Sequence, residues 1–414
     1  MTFVQRALAF LDMFSVGIMQ PVLSLVLLDH GATLSTLPLM LGIYSLTVLL
    51  MELPSGVFAD IKGRKTSFIA SIGFFVMSMV LLLFSKGLPT IAVAMLFQGL
   101  GRSFSSGSYD ALVIDDCIER HGTDWSSKAS SQLAVHQSIG ISLGALAGGM
   151  IPETKGYSLH LLSRLFILLV ILALSVFLVK ESRGHKEKEA GLMEHLKGCA
   201  SLVKNRPVIS LVLMGVLATG GLMLAIEVYW QPAYRVLSDA GGLQALGFIS
   251  FLGYGAAAFG NLLAHRSCAK ENRLKAALLF SRISIGIMAV ILAVQRSSSS
   301  FIAAYGSVYL LLGVSEIFEK GLINGSVPSD KRASMLSLMS LSMQVGGFLG
   351  SGLMAAIISR AGIGGSWIVS GTVLVLVSLT ALILHPRARS AQLSRSGPCT
   401  GASMASGMER GIRS

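Results

Sequence analysis

The sequence predicts an all-α membrane protein of twelve spanning helices arranged as two pseudo-symmetric bundles of six, and three observations carry that prediction. Only 13% of the 414 residues are Asp, Glu, Lys or Arg and 53% are apolar, against about 25% charged in an ordinary soluble domain. Apolar stretches of about 20 residues, the length of helix that crosses a hydrocarbon core of about 30 Å, recur twelve times. Features of the first half return in the second at offsets of 204 and 206 residues. The shortage of charge excludes a water-facing enzyme of one or two domains. The mean hydropathy of +0.71 comes from continuous apolar runs such as 167–178, without the strict alternation of a membrane barrel strand.

The spans follow in order. The first, 8–28, contains Asp12 and Gln20-Pro21 and is followed by no convincing small-residue cleavage site, so it reads as a helix rather than a signal peptide. The second, 37–58, carries Glu52; the third, 66–85, has no charge; the fourth, 88–110, includes Arg102 and ends on Asp110. The fifth, 132–152, bears His136 and Gln137, read as packing or hydrogen-bonding residues, and the sixth, 159–179, holds Arg164. A hydrophilic linker, 180–207, separates an N-terminal bundle (1–179) from a C-terminal bundle (208–386). The seventh span, 208–231, sets Glu227 and Gln231 one helical turn apart beside Tyr229, Trp230 and Tyr234, a group that fits either a cation-binding aromatic wall or an interfacial belt. The eighth is 243–264, the ninth, with Arg282, 274–295, and the tenth, with Glu316, Glu319 and Lys320, 300–322. The eleventh and twelfth are 335–358 and 364–385. The Ser-, Gly- and Arg-rich segment 387–414 reads as a disordered tail.

Basic residues fix the orientation. With the N-terminus inside, the segments 1–7, 59–65, 111–131, 180–207, 265–275, 323–334 and the tail, with Lys320, hold 25 of the 33 Lys and Arg. The outer loops hold Lys86, Lys155, Arg235, Arg296 and Arg360. The positive-inside rule therefore puts both termini in the cytoplasm, across the plasma (inner) membrane. The formal charge of +12 is then an orientation device, and no nucleic-acid partner is expected. Cys117, Cys199, Cys268 and Cys399 all fall on the cytoplasmic side and match no metal framework.

The halves echo one another. Gly56-Val-Phe-Ala-Asp60 is answered by Gly260-Asn-Leu-Leu-Ala264, and Ser106-Gly-Ser-Tyr-Asp110 by Leu312-Gly-Val-Ser-Glu316, which sets an acid at matching depth. Gly140, Gly144, Gly148 and Gly149 are answered by Gly346, Gly347, Gly350 and Gly352, and Met19-Gln20-Pro21 by Trp230-Gln231-Pro232. Such duplication places a site between the halves near the midplane, as in many transporters.

Between spans two and three stands Glu52-Leu-Pro-Ser-Gly-Val-Phe-Ala-Asp-Ile-Lys-Gly-Arg-Lys65. It resembles the signature loop of the major facilitator superfamily, G-x-x-x-D-x-x-G-R-K, with Gly56, Asp60, Gly63, Arg64 and Lys65 in register. Ile61 stands where a basic residue often follows the Asp. Gly56 is expected to allow close helix approach and Gly63 a tight turn, with Arg64 as a partner for Asp60. The resemblance, which covers about residues 5–386, adds an acid at the end of span four, for which Asp115 or Asp116 fits. It implies a gating latch between the halves, made in one access state and broken in the other. The span-five glycines Gly140, Gly144, Gly148 and Gly149 resemble a motif of the superfamily's drug/proton antiporters, with Ala145 in place of the usual Pro; spacing by four also serves plain helix packing. Gln98-Gly99-Leu100-Gly101 resembles a further motif, but Met95 replaces its upstream Arg and no role passes to Arg102.

Acids within apolar spans are costly, so Asp12, Asp110, Glu227, Glu316 and Glu319 are the proton and substrate candidates, with Gln231 and Arg102 beside them. Glu319 and Lys320 are positioned to pair, and Asp110 and Arg102 lie about 12 Å apart along one helix. The function expected is secondary active transport of a small solute by alternating access, as a monomer, with proton-coupled efflux of a drug-like compound. The chain has no phosphate loop, no metal or cofactor motif and no catalytic set, so no enzyme is expected. Uptake of an organic acid through Arg102, Arg164 and Arg282 is the alternative, decided by whether those arginines face the cavity; a non-transporting receptor or scaffold is the other.

Overall fold

The computed structural model describes residues 1–122, 125–179, 203–238, 242–265, 271–328 and 331–384. Most of the linker, the tail, Cys199, Cys268 and Cys399 lie outside the described residues. Helices α1 (Phe3–Met19), α2 (Leu23–Asp29), α3 (Leu37–Lys62), α4 (Arg64–Leu83), α5 (Leu88–Ser105), α6 (Ser108–His121), α7 (Trp125–Met150) and α8 (Ser158–Leu178) form the first half. The second half contains α9 (Pro207–Leu237), α10 (Leu243–His265), α11 (Glu271–Ala293), α12 (Ser298–Ser326) and α13 (Arg332–Leu384). Among the described residues there is no strand.

Nine described helices are long and apolar enough to cross a membrane, and the bent pair α1 and α2 makes a tenth crossing. The bend of 49° falls at Gln20–Val22, where Pro21 has no N–H to continue the ladder. The eleventh and twelfth spans run as one helix, α13, broken by a non-helical Gly362. The fourth span departs most from expectation. It stops at Ser105 and restarts at Ser108 through Gly107, whose φ of +71° suits a residue without a Cβ. It then continues to His121, and α7 begins at Trp125 rather than 132. The expected loop 111–131 is therefore mostly helix, because polar turns held by bonds such as Arg120 to Asp116 prolong helices past their apolar lengths.

Packing repeats between the halves. The glycines of α7 lie on α1: a Cβ on Gly140, Gly144 or Gly148 would meet the carbonyls of Phe10, Phe14 and Ile18. In the second half, Gly346 and Gly220 set α13 and α9 backbone to backbone in the same way, through Leu217 and Met343. The halves themselves meet through α7 with α10 and through α3 with α13. Gly149 lies Cα to Cα with Gly247, and Gly42 faces Ser351. These contacts lie toward one end of the molecule, the far end, opposite that from which α1 starts. Phe177 on α8, 82% exposed, is one of many large apolar side chains left uncovered, as a helix that borders lipid allows.

Candidate functional site

At the near end, Arg64 of the loop motif reaches Asp115 on α6 in an ion pair, and Lys65 donates to the Val176 carbonyl at 3.0 Å. Gln5, fixed by the capping box of α1, donates to Asp116 at 2.8 Å. Gly63 takes φ +99° between α3 and α4, the turn its position demands. Two expectations for this motif are corrected. Arg64 reaches across to α6 rather than back to Asp60, which is exposed and forms no ion pair among the described residues. Gly56 has nothing within 4 Å of a Cβ position, so it mediates no close helix contact. The pair Arg64–Asp115 accordingly lies within one half.

The interior of the first half holds Asp12, 7% exposed, whose carboxylate makes no ion pair or hydrogen bond among the described residues. Arg164 and Arg102 supply positive charge around it, with Asp110 the neighbouring acid. Arg164 is 3% exposed, stands 5.7 Å from the Phe75 ring, and leaves Nε and Nη2 buried without a partner. Arg102, by contrast, is exposed. Asp110, exposed just past the break in the fourth span, accepts from Gln137 Nε2 at 2.9 Å. Glu52 accepts from Ser106 at that break, at 3.0 Å.

In the second half, Glu227 accepts a hydrogen bond from the Tyr309 hydroxyl. Tyr305 and Tyr309, one turn apart, pack with tilted rings and centroids 4.7 Å apart, and Tyr254 meets Tyr309 edge-on at 6.2 Å. The sequence reading missed these three tyrosines; the spacing of Tyr305 and Tyr309 by four on one span was the available signal. It pointed instead to Tyr229, Trp230 and Tyr234, which are neither a cavity wall nor an interfacial belt. All three are buried in the helix core: Tyr229 donates to the Leu34 carbonyl, Trp230 packs on Tyr305 and Tyr234 on Phe301. Gln231 donates to the Gln20 carbonyl at the bend of span one, at 2.9 Å.

Glu319 and Glu316 are also relocated. Glu319 pairs at 3.0 Å with Arg282, whose guanidinium also caps the carbonyls of Leu211 and Val212. Lys320 pairs instead with Glu316, both being about half exposed. Helical geometry decides this, since positions four apart face one another and adjacent ones do not.

Among the described residues, side-chain bonds that join the halves at the far end include Tyr229 to Leu34, Gln231 to Gln20, and Arg235 to Glu153, the last at 2.7 Å. Glu153 lies in the loop after α7, and its hydrogen-bonded Arg235 holds the carboxyl below the usual carboxylate range.

A helical membrane protein sealed at one end, with acids and bases inside both halves, is built as a solute transporter. A family model described as Major Facilitator Superfamily matches residues 7–325, and the chain belongs to that superfamily. It is 27% identical over 245 residues to YxaM of Bacillus subtilis (strain 168), an MFS-type transporter, covering 58% of this chain and 59% of the relative. It is 24% identical to the inner membrane transport protein YajR of Escherichia coli (strain K12), covering 78% of this chain and 69% of that one. Among solved structures, the nucleoside transporter NupG superposes with a TM-score of 0.77 at 11% identity, covering 92% of this chain and 98% of NupG. The D-xylose-proton symporter gives 0.70 at 14%, covering 92% and 97%. At these identities the likeness is one of fold.

Proposed function

We propose that this protein is a monomeric secondary transporter that couples proton entry to export of a small amphipathic solute, by rocking of the halves 1–179 and 208–386 about the linker 180–207. The observation that carries the reading is the asymmetry of contact: the halves are tied at the far end, while the near end leaves Gly56 and Asp60 facing open space. With the basic loops and both termini in the cytoplasm, this is the inward-open state, and the tail 387–414 is cytoplasmic. Closure at the near end would bring the second half against α3, so that the loop motif, with Arg64 and Asp115 already joined, acts as the latch.

Asp12 is the proton site. It is buried, without a bonded partner, within the field of buried Arg164 and of Arg102, so that gain or loss of one proton changes the net charge of the group. Asp110 and Gln137 lie on the path toward the near end. Uptake of an organic acid loses support because Arg164 and Arg282 are buried at 3% and 1% exposure and only Arg102 is open.

The test is solute flux in proteoliposomes under an imposed pH gradient, with amphipathic amines, nucleosides, sugars and organic acids in the panel. Asp12→Asn is expected to reduce gradient-driven flux at least tenfold while retaining exchange of solute at equal pH. Full gradient-driven flux in Asp12→Asn would remove Asp12 from coupling, and no flux of any solute by the wild type would defeat the transport reading.

A further inference from the structure

Five of the described acids have a fixed cation: Asp115 has Arg64, Asp116 has Arg120, Glu153 has Arg235, Glu316 has Lys320 and Glu319 has Arg282. Glu227 has none. Its one hydrogen bond comes from the Tyr309 hydroxyl, and no basic side chain among the described residues acts on it. Around it stand aromatic rings rather than dipoles of opposite sign: Tyr309, Tyr305 at 4.7 Å from it, Tyr254 at 6.2 Å, and Trp230 at 5.1 Å from Tyr305. Glu227 and Tyr254 remain partly exposed while Tyr305 and Tyr309 are buried behind them. The group lies just below the seal, because Gln231, one turn beyond Glu227, is bonded to Gln20 at the bend of span one.

Ring faces carry negative potential, and a carboxylate away from water keeps its full field. A carboxylate with aromatic faces and no resident counter-ion is therefore complementary to a positive charge on an apolar body. A neutral polyol would find too few donors here, and an organic anion would be repelled. We propose that Glu227, Tyr254, Tyr305 and Tyr309 form the substrate site and that the substrate class is an organic cation, an amine or onium group carrying apolar substituents. Tyr309 holds the carboxylate in place through its bond to one oxygen, while the other oxygen and the Tyr254 face meet the ligand. This inference rests on the transport reading and names the solute for it.

The probe is tetraphenylphosphonium, with tetraphenylborate as a body of the same shape and opposite charge, measured by equilibrium binding to the detergent-solubilised full-length protein without any gradient. Saturable binding of the cation at one site per chain, with at least tenfold weaker binding in Glu227→Gln, is expected. Tyr309→Phe, which keeps the ring and removes the bond to the carboxylate, is expected to weaken binding three- to tenfold. It also serves as the test should Glu227→Gln not fold by size exclusion. Glu316→Gln, on the surface pair, is the control and is expected to bind as the wild type does. Equal binding of tetraphenylborate, absence of saturable cation binding by the wild type, or unchanged affinity in both Glu227→Gln and Tyr309→Phe would each overturn the site. Because no pH gradient or flux enters this measurement, a protein that binds the cation and transports nothing would retain the site and lose the transport reading.

Discussion

Arg282 and Glu319 are both inside the helix bundle, with side chains 1% and 11% exposed; the guanidinium donates to Glu319 and to two carbonyls, and Oε1 of the carboxylate accepts from Arg282 and Ser315. Such a pair is structural, since removal of one member strands the other charge at a cost of about 3–5 kcal/mol. Glu319→Gln is thus expected to lower the thermal unfolding midpoint in detergent sharply, and Arg282→Met with Glu319→Leu together to recover most of the loss. A Glu319→Gln protein that unfolds at the wild-type temperature would return Glu319 to the list of transport acids. Glu316 and Lys320, half exposed on the surface of α12, contribute less than about 0.5 kcal/mol, and Glu316→Gln should be thermally silent. Neither acid belongs with Asp12, which differs from them in having no bonded partner to lose. Sequence alone could not separate the three, because depth along a helix is legible from hydropathy but the direction of a side chain around it is not.

At the scale of elements, α7 packs on α1 backbone to backbone through its glycines. At Gly144 any side chain would enter the Phe14 carbonyl, and backbone on both sides leaves nothing to rotate away. Gly144→Val is expected to cost about 3 kcal/mol or more, at the upper end of core overpacking, and to be read as loss of the monodisperse peak in size exclusion. Gly56→Val, where no atom lies within 4 Å, should fold normally and, through the latch, reduce flux; a folding defect there would contradict the open near end. The glycine periodicity in the sequence predicted a tight helix face, and the repeat in it located the matching face in the second half. What it left out were the breaks. Pro21 and Gly107 interrupt spans one and four within apolar runs that a hydropathy window averages over. The polar extensions of α6 and α7 are helical for reasons of capping and charge pairing rather than apolar length. The tyrosines about Glu227 come from two other spans, α10 and α12, so they become one group only when those helices are packed.

For the whole molecule, under the proposed rocking of the halves the balance between access states is set by small differences at the two ends, and Arg235–Glu153 is the charged part of the far-end seal. The pair is 31% and 50% exposed, so screening limits it to about 1 kcal/mol or less, about a fivefold change in the ratio of states. Its pH dependence has a definite sign. The Glu153 carboxyl is held below its ordinary range by Arg235, so the pair's contribution is complete above the ordinary carboxylate pKa. It is lost as pH falls through the lowered value, because protonation removes the charge that Arg235 binds. Acid on the far side, the side from which protons would enter, therefore loosens the seal and favours opening toward those protons. Distances between spin labels placed across the far-end seam, on the loops after α2 and α9, are expected to show the sealed population falling as pH drops below the ordinary carboxylate range, and with rising salt. Glu153→Gln is expected to show the reduced population at every pH, with no further acid response from this pair. A seam equally closed in Glu153→Gln and in the wild type, at low salt and neutral pH, would mean that the seal rests on the Gly149–Gly247 contact and the Tyr229 and Gln231 bonds alone.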